Sequence, residues 1–142
     1  MHIVIRVLAT IFIAFSVSCS HSAEKAGLPA DIDSPRYAGG TAGIEFRNIR
    51  HDFGTVRHGK KLVYTFVYKN TGDAPLVIHS ARADCGCTVP EYDTRPLAPG
   101  GEGKFKVIFD TQGFRGYQTK TIQLMTNARD PLVTLALRAM IE

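Results

Sequence analysis

The sequence predicts an all-β protein, an antiparallel two-sheet sandwich of about seven short strands. Three observations carry this reading. From Ile44 onward, apolar residues recur at period two in short runs. Clusters of Gly, Pro, Asn and Asp fall between those runs, where strand connections need them. No stretch after the N-terminal segment combines helical periodicity with helix caps.

Each element follows in order. Ile44-Glu45-Phe46 alternates and opens the first strand. Asp52-Phe53-Gly54-Thr55-Val56 forms a second, and Gly54 and Gly59 suit a bulge and a tight turn. Lys61 to Lys69 is the clearest strand: Leu62, Tyr64, Phe66 and Tyr68 share one face, and Val63, Thr65 and Val67 the other. Both faces are apolar or β-branched, which places this strand centrally. Asn70-Thr71-Gly72-Asp73 reads as a turn built from residues that tolerate left-handed backbone. Pro75 starts the next strand, where its missing N–H is tolerated, and Leu76 to Ala81 continues it. Glu91 to Gly103 reads as loop, with Pro96, Pro99, Gly100 and Gly101. Phe105, Val107 and Phe109 then alternate with Lys104, Lys106 and Ile108. Ile122 and Leu124 mark a further strand closed by Asn127. Leu132 to Ile141 is the last, with Leu135, Leu137 and Ala139 on one face.

The N-terminus reads as a targeting segment. Arg6 precedes an apolar run, Val7 to Phe15, which is too short for a membrane span and fits a signal-peptide core. Ser16-Val17-Ser18-Cys19 follows and resembles the lipobox of bacterial lipoproteins, with Ser16 where that motif usually carries Leu. The resemblance implies cleavage before Cys19 and lipidation of that cysteine, so residues 1–18 form the signal peptide. The alternative is an ordinary secretory signal with an incidental cysteine. Residues 19–43 are rich in Ala, Gly, Ser, Pro and charge and read as a flexible tether. Residues 44–142 form the domain. The expected address is the cell envelope, on the periplasmic or outer-membrane face, with the membrane reached through the lipid.

Composition narrows the function classes. The 142 residues carry 17 Lys plus Arg and 13 Asp plus Glu, a net charge of +4 that falls to +3 once Arg6 is cleaved away. The basic residues are scattered, and only His58-Gly59-Lys60-Lys61 clusters. That cluster suits a solvated strand edge guarded by lysine, and nucleic acid is not an expected partner. Trp is absent and no distant cysteine pair remains, so an Ig-like description refers to architecture and not to antibody ancestry.

Several segments, taken in order, resemble a known family. They are Asp52 to Val56, Gly59, Phe66 to Gly72, Pro75 to Ile78, Cys85-Gly86-Cys87-Thr88, Pro99-Gly100 and Thr126-Asn127. Together they are similar to the bacterial domain of unknown function 1573 family, over about Ile44 to Ile141. The resemblance implies an Ig-like sandwich related to domains of cilia- and sperm-associated proteins and to PapD-type chaperones. It also implies secreted or lipid-anchored bacterial proteins. It implies no specific activity.

The chemistry-bearing residues concentrate at Cys85-Gly86-Cys87. Three readings compete for this pair. It is a structural disulfide or a pair of reduced thiols; a redox site; or a Cu(I) or Zn site. A one-residue spacing closes a small ring, so its entropic contribution to stability is small. Against redox, no helix N-terminus lowers a thiol pKa here, although Arg82 lies nearby. Against metal, the further candidates are few: His79 precedes Cys85 by six residues, and His51 and His58 lie elsewhere. Asp84, Glu91 and Asp93 flank the loop and are read as solvated charges, not an acid–base pair. Tyr64, Tyr68, Tyr92 and Tyr117 are candidates for a sugar-binding face, with two of them in a core strand. No catalytic residues are expected, and no cofactor beyond a metal ion of unknown identity on the cysteine pair. The reading is an interaction or structural module that contacts unknown envelope proteins through a sheet edge or the Cys85–Glu91 loop. The alternative is a thiol-redox or copper/zinc-binding envelope protein.

Overall fold

Residues 39–142 are described by a computed structural model. The chain runs β1 (Ile44–Phe46), β2 (Arg50–Val56), β3 (Lys61–Asn70), β4 (Ile78–Ala83), β5 (Thr88–Tyr92), β6 (Glu102–Asp110), β7 (Gly116–Thr126) and β8 (Leu132–Ile141). One sheet has the order β1-β3-β6-β5 and the other β2-β8-β7-β4. Among the described residues there is no helix. The expected signal peptide, Cys19 and most of the expected tether lie outside the described residues.

Period-two burial explains why these strands stack. In β3 the inward set is Leu62, Tyr64, Phe66, Tyr68 and Asn70; in β6 it is Phe105, Val107 and Phe109. The facing sheet supplies Ile122 and Leu124 from β7 and Leu135, Leu137, Ala139 and Ile141 from β8. Nearly all of these are fully buried, and they form one continuous core between the sheets. At the β1/β2 side the core grades into stacked rings. His51 lies parallel to Tyr64 with centroids 3.6 Å apart, and Phe53 meets His51 edge-on at 4.6 Å.

The structure departs from the expected pattern in three places. There are eight strands, because Thr88–Tyr92 forms β5 inside what reads as loop. Pairing between the named strands is antiparallel except where β2 lies parallel to β8, from Arg50↔Ala136 to Val56↔Ile141, and an isolated bridge joins Ala42 to Ala128 in parallel. The β2–β8 register shifts between Asp52 and Thr55, around Gly54 at φ 68°, as the glycine foreshadowed. The folded body also starts before Ile44. The carbonyls of Thr41, Ala42 and Gly43 accept the N–H groups of Asp73, Arg129 and Thr71, and Ala42 is buried.

Two buried polar residues close the ends of the sandwich. Asn70 continues the inward phase of β3 and is completely buried. Its Oδ1 accepts from Gly72 N at 3.0 Å and Gly43 N at 3.3 Å, and its Nδ2 donates to Ala74 O at 2.8 Å and Leu97 O at 2.9 Å. Its own N–H and carbonyl engage Gly101 and Gly100. The side chain thus uses both donors and both lone pairs of its amide. The expected left-handed turn is not what forms here, since neither Asn70 nor Gly72 has positive φ. Gly72 is needed for closeness instead: a Cβ there would collide with the backbone of Thr41, Ala42 and Gly43. At the opposite end, buried Thr111 accepts from Lys60 N–H at 2.7 Å and donates to Lys60 O at 2.8 Å.

Asn70→Ala should lower unfolding free energy by about 2–4 kcal/mol, because four main-chain groups lose their partner inside the fold. Asn70→Asp should also destabilise, since a carboxylate cannot donate to the Ala74 and Leu97 carbonyls. Urea unfolding of both variants checks this; wild-type stability in either would exclude the role.

Candidate functional site

The connection from β4 to β5 crosses from one sheet to the other and carries the cysteine pair. Cys85 and Cys87 form a disulfide with Cα atoms 5.2 Å apart, and both residues are half-buried. Each flank of the loop is tied to a different sheet. On the β7 side, Asp84 N–H donates to Thr121 O at 3.1 Å, and Asp84 Oδ2 accepts Thr121 N–H at 2.9 Å and Thr121 Oγ1 at 3.2 Å. On the β6 side, Cys87 O accepts Asp110 N–H at 2.9 Å. Within the loop, Thr88 N–H donates to Cys85 O at 3.2 Å.

Thr88 is the neighbour that sequence reading overlooked. It is buried, and its Oγ1 lies 3.6 Å from Cys85 Sγ and 3.7 Å from Cys87 Sγ. Disulfide sulfurs carry no proton, so the hydroxyl is the donor in both contacts. Beyond Thr88, on the same end of the sandwich, its cross-strand partner Phe109 faces Lys120. Lys120 is only 8% exposed and holds its ammonium 4.0 Å from the Phe114 ring centroid and 5.5 Å from that of Phe109. Position 120 continues the inward phase of Ile122 and Leu124, where a lysine breaks the apolar pattern.

The other sequence candidates do not converge on the pair. His79 is exposed at the far end of β4, about 20 Å along the strand at 3.3 Å per residue. His51 is in the ring stack, and His58 Nε2 accepts from Gly113 N–H at 3.1 Å. Among the described residues, no three His, Cys, Asp or Glu side chains cluster as a metal site would need. Asp84 is committed to Thr121. Glu91 pairs with Lys106, and Asp93 with Arg95. The tyrosines do not share a face. Tyr64 and Tyr68 point inward, Tyr92 stacks on Phe105 at 5.3 Å, and Tyr117 is exposed on the outer face of the other sheet.

Tyr68 borders a shallow cleft of ≈ 470 Å³ with Asp93, Arg95, Leu97 and Lys104. Its ring covers Gly103, where a Cβ would strike the phenol. Burial, and then the negative Asp93, push the Tyr68 hydroxyl above its ordinary value. Hydrogen bonds from Arg95 hold the exposed Asp93 carboxyl down at about 2.

Two surface features bear on partner binding. The first is the state of the sheet edges. Because Cys87 bonds Asp110, alternation turns the backbone groups of Thr88, Pro90 and Tyr92 toward the open side of β5. Thr88 N–H is spent on Cys85 O and Pro90 has none, which leaves Tyr92 as the edge donor among the described residues. At the other edges β1 has three residues, and β2 and β4 each carry a register shift. These are the devices that keep a strand from adding on. The second feature is the outer face of β3-β6-β5. Val63, Ile108 and Val89 stand directly opposite one another across three strands, with Val63 52% and Val89 51% exposed. The next row is polar, Thr65-Lys106-Glu91, and Lys61 pairs with Asp110 on the other side. The outer face of the other sheet instead separates its exposed apolar residues into Tyr117–Met140 and Met125–Leu132, at opposite ends.

The profile of a family described as "Protein of unknown function (DUF1573)" matches residues 44–141. A protein of unknown function from Porphyromonas gingivalis W83 superposes with a TM-score of 0.63 at 22% identity, over 70% of this chain and 47% of that one. PapD-like domain 7 of human CEP192 gives 0.59 at 14% identity, over 72% of this chain and 87% of that domain. The secreted serine protease VesC of Vibrio cholerae gives 0.55 at 14% identity, over 70% of this chain and 23% of that one. The chain therefore spans about half of the Porphyromonas protein and under a quarter of the protease. At such identities the likeness is one of fold, an Ig-like sandwich of the PapD-like kind. No curated protein sequence matches the chain.

The folded state holds the Tyr68 proton more tightly than the unfolded chain does. Its contribution is intact below pH 10, the unstrained tyrosine value, and is lost as pH rises beyond it. Stability should therefore fall across alkaline pH, and Tyr68→Phe should flatten that fall. Asp93→Asn should bring the Tyr68 ionisation midpoint down, read by tyrosinate absorbance; an unmoved midpoint would show that Asp93 does not act on Tyr68.

Proposed function

The chain belongs to the DUF1573 family of proteins of unknown function, and from that we propose that it is a non-catalytic interaction module of the bacterial cell envelope. Export delivers it, a lipid on Cys19 holds it at the membrane, and residues 20–38 set the reach of the domain. The partner is another envelope protein that presents an apolar side chain to the β3-β6-β5 face.

The observation that carries this reading is the outward Val63-Ile108-Val89 row, exposed at Val63 and Val89 and half-buried at Ile108, with its charged border. An apolar centre within a polar rim is how protein interfaces are built. The row sits on a sheet whose inner face is packed, so its side chains are already ordered before binding. Three side chains suit a weak, reversible contact rather than permanent assembly. Strand addition at an edge, the binding mode of PapD-type chaperones, fits this domain less well because its edges are guarded. The Cys85–Glu91 loop adjoins the row through β5 and would form part of the same surface.

A photocrosslinking residue placed at Val89 should capture the same envelope protein as one at Val63, while one at Leu132 should not. Val63→Glu with Val89→Glu should abolish that capture and leave the unfolding midpoint within a few degrees, since exposed positions contribute about 0.5 kcal/mol or less. Equal capture from Leu132 would count against the face. Separately, Cys19→Ser should move the protein from the membrane to the soluble envelope fraction and stop incorporation of a labelled fatty acid; unchanged fractionation would defeat the anchor.

A further inference from the structure

We propose that Cys85–Cys87 is a thiol–disulfide exchange site that takes electrons from an exported protein dithiol. Four observations converge on it, none of which depends on the binding face above. First, the loop tip is open: a Cβ built on Gly86 meets no atom within 4 Å, so a second protein's thiol can approach along that side. Second, the two sulfurs differ. Cys87 packs against the hydrophobic core and Cys85 does not, which makes Cys85 Sγ the accessible target.

Third, the loop does not rely on the sulfur bond for its position. Asp84 is held by three hydrogen bonds to Thr121, and Cys87 by one to Asp110, on opposite sheets. The ring spans a sequence separation of 2, so closing it restricts the unfolded chain very little. Opening the bond leaves the crossover where it is. Fourth, the Thr88 hydroxyl already donates toward both sulfurs from a buried position. When the bond breaks, it faces the departing thiolate.

The reaction balances in two exchanges. A donor thiolate attacks Cys85 Sγ; the Cys85–Cys87 bond breaks, a mixed disulfide to Cys85 forms, and the electron pair leaves on Cys87, whose thiolate Thr88 stabilises. The donor's second thiolate then attacks its own sulfur in the mixed disulfide and releases Cys85 as a thiolate. The donor dithiol is oxidised to a disulfide, the pair is reduced to two thiols, and solvent supplies the protons.

The test uses the full chain carrying Cys19→Ser, so that only the pair reports, with reduced and oxidised dithiothreitol and with glutathione disulfide as probes. In native buffer two thiols should become alkylatable per molecule in reduced dithiothreitol and disappear again in the oxidised form. Thr88→Val should slow the reduction about tenfold and Thr88→Ser should restore it, as expected for a hydrogen bond to the leaving thiolate. In the reduced Cys87→Ser chain, glutathione disulfide should form an adduct at Cys85 faster than it forms one at Cys87 in the Cys85→Ser chain. A pair that resists excess dithiothreitol until denaturant is added, an equal rate in Thr88→Val, or faster adduct formation at Cys87 would each overturn the proposal.

Discussion

A sandwich of two small sheets has a greasy middle and polar ends, and its loops can cover the ends only if their main-chain groups find partners. In this protein one side chain supplies most of that at one end. Asn70 joins the segment before β1, the turn after β3 and the loop before β6 through its own amide. An amide offers two donors and two acceptors in a plane, which is what three converging loops need and what no apolar residue can give. Thr111 does the same on a smaller scale at the other end. With both ends tied by side chains, the β4–β5 crossover is fixed by its neighbours on the two sheets. That fixity does not need the sulfur bond, which is what the proposed exchange at Cys85–Cys87 requires.

Much of this was legible in the sequence. The alternation of Leu62 to Tyr68, Phe105 to Phe109 and Leu135 to Ile141 has the correct phase in each strand, because burial on one face demands period two. Gly54 and Gly59 carry the positive φ their positions suggested. What stayed hidden was non-local. The stretch around the cysteines reads as loop, yet Thr88–Tyr92 forms a strand, and the N–H that Pro90 lacks falls on its open edge, where nothing is lost. The parallel pairing of β2 with β8 follows from how the chain crosses between sheets, which periodicity does not encode. Asn70 looked like turn chemistry because Asn and Gly flank most turns. The phase of β3 did place it inward, and a polar residue on an inward phase was the signal to follow.

The candidate site was legible in part. The cysteine spacing pointed to the β4–β5 connection, but not to what surrounds the pair there. Thr88 touches both sulfurs because the β5–β6 register turns it inward beside Phe109, and Thr121 reaches Asp84 from a strand that lies far away in sequence. His79 shares β4 with the loop but sits at the wrong end of it. The outward Val63-Ile108-Val89 row needs three strands in register to exist at all. Such constellations arise from pairing, so no single stretch of sequence contains them.

Native-state hydrogen exchange on the Cys85→Ser/Cys87→Ser double variant, beside Asn70→Ala, tests the division of labour most directly. The amides of the central strands β3, β6, β7 and β8 should keep their protection to within about tenfold without the disulfide, with changes confined to residues near the crossover. Asn70→Ala should lose protection across residues 41–46, 70–76 and 97–101. Loss of protection throughout both sheets in the cysteine variant, with Asn70→Ala left as protected as the wild type, would overturn the roles given to Asn70 and to the disulfide.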